Sequence, residues 1–330
     1  MMSPLEQRYR MVLRLLPGAY RERWDDDMVA TFMEGAYASD PDDPEGVELG
    51  RPTWAEIRSV VGLAVRLRLG GTEAPARPRL WGDAVRQFAL MVLVAFASAA
   101  IVGPVAVLLA RSGAMDPIPA PGGWHTAAQF LELLWVPPLF LVLFGQFRPG
   151  RAVAATALVA DAGIRVLASV MDGTGSTLSW LLLELGAVVV GSLGLYQPGT
   201  PRPRPTPWLA TAAILAAGTA LTAATGTVAI DWFGLCCVAV VGAAIALRHS
   251  PSGILAVTLA AVAALLLRIA ATADLAWFVE ATSTRPAVVF GAWAVGAGAA
   301  LATAVVCGVR ARRTWLALPP VTYANRTPSS

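Results

Sequence analysis

Five ionisable residues lie inside long apolar stretches of this 330-residue chain, where a charge is costly to place. They are Glu132, Asp161, Arg165, Glu184 and Arg268. At the centre of a lipid bilayer each would cost at least about 2.5–3.5 kcal/mol, so we expect these side chains to face one another or a polar cavity. Asp161 and Arg165 are four residues apart and share one helix face. The set predicts either a site for a solute or an ion, or structural ion pairs.

Other reactive residue types show no pattern that indicates catalysis. Cys236, Cys237 and Cys307 all lie in apolar runs, where thiols are typically inert. His125 and His249 fall on opposite sides of the membrane in the topology given below, so we expect no shared metal site. We find no phosphate-binding Walker loop, nucleophile elbow or zinc-protease helix. We therefore predict a protein that is not an enzyme and has neither a cofactor nor a metal.

The composition is that of a membrane protein. Hydrophobic residues make up 56% of the chain, charged residues 14%, and the mean hydropathy is +0.60. Soluble proteins have roughly 25% charged and about 45–50% apolar residues. The net charge of +3 is too small to indicate a nucleic-acid partner, and we expect the lipid bilayer itself to be the main partner.

Apolar runs of about 20 residues follow one another after Arg86 and predict eight membrane-spanning helices. We place the spans at 87–110, 127–147, 152–170, 179–196, 208–226, 231–247, 253–273 and 286–309. Lipid offers the backbone no hydrogen-bond partner, so each span should be helical, and Pro137-Pro138 should kink the second. The predicted fold is therefore all-α, with a cytoplasmic segment 1–86, a transmembrane bundle 87–313 and a disordered cytoplasmic tail 314–330.

Arginines predict the orientation of the spans. Alternate loops and both flanking segments contain Arg77, Arg79, Arg86, Arg148, Arg151, Arg202, Arg204, Arg248, Arg310, Arg312 and Arg313. The intervening loops contain only Arg111 and Arg285. Because short cytoplasmic loops are enriched in arginine, both chain termini should be cytoplasmic. On this topology Asp161 lies near the middle of its span, and the other four intramembrane charges lie in the outer half.

Three soluble helices are predicted before the first span. A capping box at Ser3 and Glu6 begins the first helix, and another at Thr53 and Glu56 begins the third. The second helix has an apolar face of Tyr20, Trp24, Met28 and Phe32, and an acid-rich loop from Ser39 ends it. The third helix should bury Trp54, Ile57, Val60, Val61, Ala64 and Leu67. Each helix has one apolar face, so the segment should form a small three-helix bundle at the cytoplasmic surface.

The segment LRLLPGAYRERWDDDMVATF resembles the amino-terminal part of uncharacterised multi-pass membrane proteins of actinobacteria. Leu-Leu-Pro, an aromatic-Arg pair and an acid-Met pair recur in that group, and here they are Leu15-Leu16-Pro17, Tyr20-Arg21 and Asp27-Met28. The later stretch RPTWAEIRSVVGLAVRLRLG resembles the next helix of the same group, so the resemblance covers residues 5–70. It implies a bacterial plasma membrane protein whose first helices dock a partner.

A similar segment precedes some ABC-type permeases, and related helical domains accompany membrane signalling proteins. The outer loops of this chain are too short for the extracytoplasmic domain of those permeases, so permease activity is not implied. The resemblance implies that Tyr20, Arg21, Trp24, Asp27 and Met28 form the bundle core and a partner-binding face.

Two functions remain open from the sequence. We expect a non-enzymatic membrane regulator or scaffold that docks a cytoplasmic protein through residues 1–70. The alternative is a transporter for a small solute or a lipid that uses the intramembrane Arg and Glu residues.

Overall fold

The computed structural model describes residues 2–69, 76–112, 123–171, 177–196, 200, 202–224, 231–271 and 286–318. Every regular element in these ranges is a helix, which confirms the all-α fold class. The chain divides into two compact units. Unit 1 comprises Met1–Gly82 and Leu316–Ser330, and unit 2 comprises Asp83–Trp315.

Unit 1 begins with the helices α1 Pro4–Leu13, α2 Gly18–Ser39, α3 Pro44–Leu49 and α4 Trp54–Leu69. Both predicted N-caps are present. The Ser3 hydroxyl accepts a hydrogen bond from the Glu6 amide at 3.2 Å. The Thr53 amide and hydroxyl donate to the Glu56 carboxylate at 2.6 and 2.9 Å, while the Glu56 amide donates to the Thr53 hydroxyl at 3.3 Å.

The acid-rich loop predicted after Ser39 is present at residues 40–43, and the short helix α3 takes up the last residues of that prediction. Asp43 caps its start by accepting a hydrogen bond from the Gly46 amide at 2.9 Å. Arg8 of α1 donates to the carbonyls of Leu49, at 2.6 Å, and Gly50 at its end. These two caps satisfy backbone groups that a six-residue helix leaves unpaired at its ends.

The core of unit 1 is a cluster of buried apolar side chains from α1, α2, α4 and the turn after α1. Its buried members are Tyr9, Leu13, Leu16, Val29, Val60 and Ala64. Tyr9 stacks on Phe32 with 3.9 Å between ring centroids. On α4 the cluster buries Val60 and Ala64, whereas Trp54 and Val61 are exposed, so the predicted burial of these two residues is wrong.

The remaining helices are α5 Ala76–Arg111, α6 Gly123–Glu132, α7 Val136–Leu143, α8 Phe147–Met171, α9 Thr177–Leu193, α10 Pro205–Ala224, α11 Asp231–Ala246, α12 Pro251–Ala270 and α13 Pro286–Ala317. A helix therefore lies at each of the eight predicted spans. The kink predicted at Pro137-Pro138 is a 3₁₀ turn at Leu133–Trp135 that separates α6 from α7. The two prolines begin α7, where their missing amide hydrogens cost least.

Within the described residues, four helical stretches are long and apolar enough to cross a membrane. They are Ala76–Val105, Phe147–Val170, Pro251–Ala270 and Trp293–Ala317. Shorter apolar helices at Ala127–Leu143, Leu178–Leu193 and Gly234–Ala246 occupy three other predicted spans. The last residues of two predicted spans, 225–226 and 272–273, lie outside the described residues.

Helix α13 continues to Ala317, so residues 314–317 are helical and the prediction of a tail disordered from residue 314 is wrong there. The Thr314 hydroxyl donates to the Arg310 carbonyl at 2.6 Å within this last turn. Residues 319–330 of the predicted tail, and the linker residues 70–75, lie outside the described residues.

The core of unit 2 is formed around α5. Its largest cluster of buried residues includes Phe88, Leu90, Leu93 and Val94 of α5, with Trp135, Leu139, Val189, Leu193, Leu215 and Ala256 from helices around it. Phe96 meets Trp135 edge to face at 4.8 Å. The Ser98 hydroxyl donates to the carbonyls of Val94, at 2.7 Å, and Ala212 of α10, at 3.2 Å.

Contacts within unit 2 bring the arginine-containing helix ends together. The Tyr196 hydroxyl donates to the Arg86 carbonyl at 3.2 Å, and Gln87 of α5 donates to Ser252 of α12 at 3.2 Å. The Phe147 and Tyr196 rings stack at 4.5 Å. We call this end of unit 2 the basic end; its arginines are Arg86, Arg148, Arg151, Arg202, Arg204, Arg248, Arg310, Arg312 and Arg313.

Gly145, in the turn between α7 and α8, shows how closely the basic end is packed. Its φ of +79° is a backbone conformation that residues other than glycine rarely adopt. A Cβ atom at this position would lie 2.7 Å from Nε of Arg202, which belongs to the segment before α10. The turn after α7 and the segment before α10 therefore meet at the same end of the unit.

Candidate functional site

Three of the five intramembrane charges lie together in unit 2. Arg165 of α8 forms an ion pair with Asp161 one turn earlier, with 3.0 Å between the guanidinium nitrogen and the carboxylate oxygen. Asp161 is 8% exposed. Glu132, at the end of α6, lies close enough to interact electrostatically with both. The packing of α6 on α8 thus joins a carboxylate to the predicted Asp–Arg pair.

Arg268 and Glu184 have different surroundings. Arg268 of α12 is 1% exposed, and a Cβ atom on Gly296 of α13 would lie 3.2 Å from its guanidinium group. The Trp293 indole donates to the Arg268 backbone carbonyl at 3.2 Å. Glu184 is exposed on α9. The structure therefore groups Glu132, Asp161 and Arg165 on α6 and α8, while Arg268 is enclosed beside α13 and Glu184 is exposed on α9.

The geometry of the three-residue group limits its chemistry. A buried arginine that already shares its charge with a carboxylate is close to neutral as a pair, which lowers the cost of holding both in an apolar region. Glu132 adds a second carboxylate beside this pair. The arrangement is therefore typical of a structural ion pair with one additional carboxylate. A binding site for an anion would instead need an arginine whose positive charge is not already neutralised.

The predicted docking residues of α2 differ in how far they are buried. Tyr20 and Met28 pack against the core of unit 1, and Arg21 is half-buried. Trp24 is 40% exposed, with the Arg23 guanidinium 5.3 Å from the centre of its ring, and Asp27 is exposed. Tyr20 and Met28 thus stabilise the fold, whereas Trp24 and Asp27 are accessible.

A surface charge network in unit 1 was not found from the sequence. Arg10 of α1 forms ion pairs with Glu6 at 3.1 Å, with Asp26 at 2.9 Å and with Asp25. The spacing of Glu6 and Arg10 could have indicated the first pair, but the other two depend on how α1 packs on α2. Two carboxylates of the Asp25-Asp26-Asp27 run therefore form ion pairs that join α2 to α1 within unit 1.

Two tyrosines of unit 1 remain protonated hydrogen-bond donors at physiological pH. Burial raises the pKa of Tyr9, whose ring lies in the core. A hydrogen bond to Glu48, at 2.8 Å, raises the pKa of Tyr37 and joins α2 to α3. Both effects disfavour the phenolate, so neither group provides a base.

Helix α4 has a second apolar face that the core does not cover. Trp54, Val61 and Val65 are all exposed, and Trp54 is 76% exposed. With Arg58 they follow the spacing i, i+4, i+7, i+11, which places them in one stripe along the helix. The buried residues Val60 and Ala64 lie on a different face. We call Trp54, Arg58, Val61 and Val65 the α4 stripe.

Unit 2 contains an apolar groove between α5, α10, α11 and α12, with a cavity volume of about 510 Å³. Its lining includes Met91, Phe96, Trp208, Leu215, Leu235 and Val238, and none of the lining residues that the structure describes is charged. Ile214 and Val238 line it and are also largely exposed, so the groove opens to the side of the bundle. This groove could not be predicted from the sequence, because it depends on how four helices pack.

Among the described residues, no group of three or more His, Cys, Asp or Glu side chains is arranged to hold a metal ion. His249 is exposed and accepts a hydrogen bond from Arg248 at 2.9 Å, and the side chain of His125 lies outside the described residues. Comparison with known proteins gave no match to a protein-family model, to a curated protein or to a solved structure.

Proposed function

We propose that this protein is a non-enzymatic regulator or scaffold of the bacterial plasma membrane that docks a cytoplasmic protein through its amino-terminal helices. The observation that carries the proposal is the α4 stripe, because an exposed tryptophan with two exposed valines at helical spacing is costly to leave in water. The resemblance of residues 5–70 to the segment found in actinobacterial membrane proteins supports the same function.

The proposal includes eight membrane crossings with both termini in the cytoplasm. Helices at all eight predicted spans support this number, although several are short for a 30 Å hydrocarbon layer and would need tilting or local thinning. The collection of nine arginines at one end of unit 2 supports the orientation, since cytoplasmic ends are rich in arginine.

The α4 stripe suits a helix or an apolar surface of another protein. Tryptophan and arginine are the residue types most often found at the centre of protein interfaces, and Trp54 and Arg58 are one helical turn apart. Valines 61 and 65 extend the apolar surface by two further turns. A partner helix laid along α4 would therefore bury Trp54 first and the valines beside it.

Site-specific photo-crosslinking in living cells tests the docking function with the full-length chain. A crosslinking amino acid at Val61 should form one adduct of discrete mass, and Trp54→Ser should reduce its yield at least tenfold. The matched control places the crosslinker at Glu34, an exposed position on α2 outside the α4 stripe. The docking function would be excluded if Val61 formed only adducts with lipid or with a second copy, or if its adducts persisted in Trp54→Ser.

A transporter is the second candidate, and the group of Glu132, Asp161 and Arg165 is the observation that favours it. A carboxylate beside a buried ion pair is an arrangement that proton-coupled transporters use. Flux measurements on reconstituted protein carrying both Arg165→Ala and Arg268→Ala would separate the two functions. Loss of flux from protein that still folds and binds its partner would favour transport.

A further inference from the structure

We infer that the apolar groove of unit 2 holds one acyl chain of an anionic phospholipid, whose headgroup is bound by Arg204 and Arg248 at the basic end. Nothing in this inference uses the docking role of unit 1. It rests on the proposed placement of unit 2 in the membrane.

The size of the groove suits a single lipid chain. Its volume of about 510 Å³ falls within the roughly 300–1,000 Å³ typical of small-molecule sites. Along α11 its lining runs from Leu235 to Leu247, which is about 18 Å at 1.5 Å per helical residue. One leaflet contributes about half of the 30 Å hydrocarbon thickness. The groove is therefore about as long as one leaflet is deep.

The walls favour hydrocarbon over a polar ligand. Among the described residues that line the groove none is charged, and Ile214 and Val238 at its opening are apolar as well. A polar solute would leave its hydrogen-bonding groups unpaired here. Because the opening faces the side of the bundle, a chain could enter it directly from the surrounding leaflet.

The charged residues at one end of the groove determine which lipid it takes. Pro207 and Trp208 of α10 and Leu247 after α11 line that end. Arg204 directly precedes α10 and Arg248 directly follows Leu247, and both side chains are exposed. Two guanidinium groups beside the groove end favour an anionic phosphate headgroup over a zwitterionic one.

A second copy of the chain suits the groove less well. Two copies inserted with the same orientation would pack with their basic ends at the same depth, which would bring Arg204 and Arg248 of both copies close together. Like charges across an interface oppose association. An anionic lipid would instead neutralise the same arginines.

Lipid retention by the full-length protein tests the inference. The protein is reconstituted into vesicles of equal amounts of phosphatidylcholine and phosphatidylglycerol with identical acyl chains, floated on a density gradient, extracted in mild detergent and analysed by native mass spectrometry. We expect one phosphatidylglycerol to be retained in preference to phosphatidylcholine. Arg204→Gln with Arg248→Gln should lower this preference about twenty-five-fold, at roughly five-fold for each arginine. Arg148→Gln with Arg312→Gln, which removes two other exposed arginines of the basic end, is the matched control.

A second pair of variants tests the groove itself. Gly242 lines the groove and is exposed, and a Cβ atom there would meet no atom within 4 Å, so Gly242→Leu places a bulky side chain at the opening of the groove without displacing the backbone. This variant should retain neither lipid. Gly298→Leu is the control, because Gly298 also has open space around its Cβ position but is not among the residues that line the groove. Circular dichroism and size-exclusion chromatography show whether each variant is folded.

The results distinguish this inference from the proposals on which it depends. Equal retention of the two lipids, or unchanged retention in folded Gly242→Leu, would overturn the lipid site alone. A wild-type dimer that Gly242→Leu dissociates would assign the groove to a second copy and would also overturn the lipid site. Wild-type protein that does not float with the vesicles would overturn the membrane placement and the lipid site together.

Discussion

Arg10 in unit 1 and Arg165 in unit 2 each pair with a carboxylate four residues earlier on the same helix, at 3.1 and 3.0 Å. Arg10 also pairs with Asp25 and Asp26, and its side chain is partly exposed. Arg165 pairs with an aspartate that is largely buried among apolar helices. The distances are nearly equal, so the difference in energy between the pairs must come from their surroundings. In water such a pair contributes little, whereas in an apolar region each partner depends on the other.

Exposed valines show the same contrast for apolar side chains. Val61 of α4 and Val159 of α8 are both exposed on a helix. On the proposed membrane placement, Val159 faces hydrocarbon and has no reason to be covered. Val61 faces the cytoplasm, where its exposure indicates a missing neighbour. On this placement an exposed valine in unit 2 is a lipid-facing residue, whereas an exposed valine in unit 1 indicates a surface that binds a partner.

Replacement of Arg165 should have the largest effect. Arg165→Ala leaves Asp161 buried without its cation and beside Glu132, so the free energy of unfolding should fall by about 3–5 kcal/mol. Thermal denaturation of the full-length protein in detergent, followed by circular dichroism, measures the loss. Asp161→Asn with Arg165→Gln removes both charges and should cost much less. If the single and double variants lost similar amounts of stability, the loss would not come from leaving the Asp161 carboxylate without its cation.

Aspartate substitutions at the two exposed valines should differ strongly. Val159→Asp should make the free energy of membrane insertion of α8 less favourable by about 2.5–3.5 kcal/mol, because Val159 lies inside a predicted span. Val61→Asp should change the stability of unit 1 by only about 0.5 kcal/mol, as is usual for a surface position. The insertion of α8 is measured by membrane extraction, and the stability of unit 1 by hydrogen exchange of α4. Equal tolerance at both positions would contradict the proposed membrane placement of α8.

Local features of the fold were predictable from the sequence because they depend on residues close together in the chain. Apolar runs located the helices of unit 2, capping residues located the starts of α1 and α4, and Pro137-Pro138 located the break in the second span. Each of these signals acts within a few residues and does not depend on how distant helices pack.

The exposed faces could not be predicted in the same way. Residues spaced by four on an α-helix advance by only about 40° at each step, yet Trp24 is exposed while Tyr20, Met28 and Phe32 pack against the core of unit 1. The packing of α1 on α2 decides that Val29 is buried and Trp24 exposed. The three-residue group around Arg165 and the groove depend on helix packing over still longer separations along the chain.

The capping box of α4 provides a smaller effect confined to unit 1. Thr53→Ala removes the hydroxyl that accepts a hydrogen bond from the Glu56 amide and donates one to the Glu56 carboxylate. The free energy of unfolding of unit 1 should therefore fall by about 1 kcal/mol. Hydrogen exchange of the first turn of α4 in the full-length protein measures this loss. Thr53→Ser keeps the hydroxyl and should restore most of the protection. If Thr53→Ser exchanged as fast as Thr53→Ala, the hydrogen bonds would not be the source of the stability.

The smallest effect is expected at Arg10, and it completes the comparison with Arg165. Arg10→Ala removes contacts to three carboxylates, yet partial exposure should limit the loss to about 1 kcal/mol or less. Salt at about 1 M shortens the Debye length to about 3 Å and should remove most of this difference between wild type and variant. The same salt should leave the large effect of Arg165→Ala nearly unchanged, because its ion pair is shielded from the solvent. Hydrogen exchange of α1 in low and high salt measures the first effect. A loss at Arg10 that exceeded about 3 kcal/mol and persisted in high salt would show that unit 1 encloses its charges as unit 2 does.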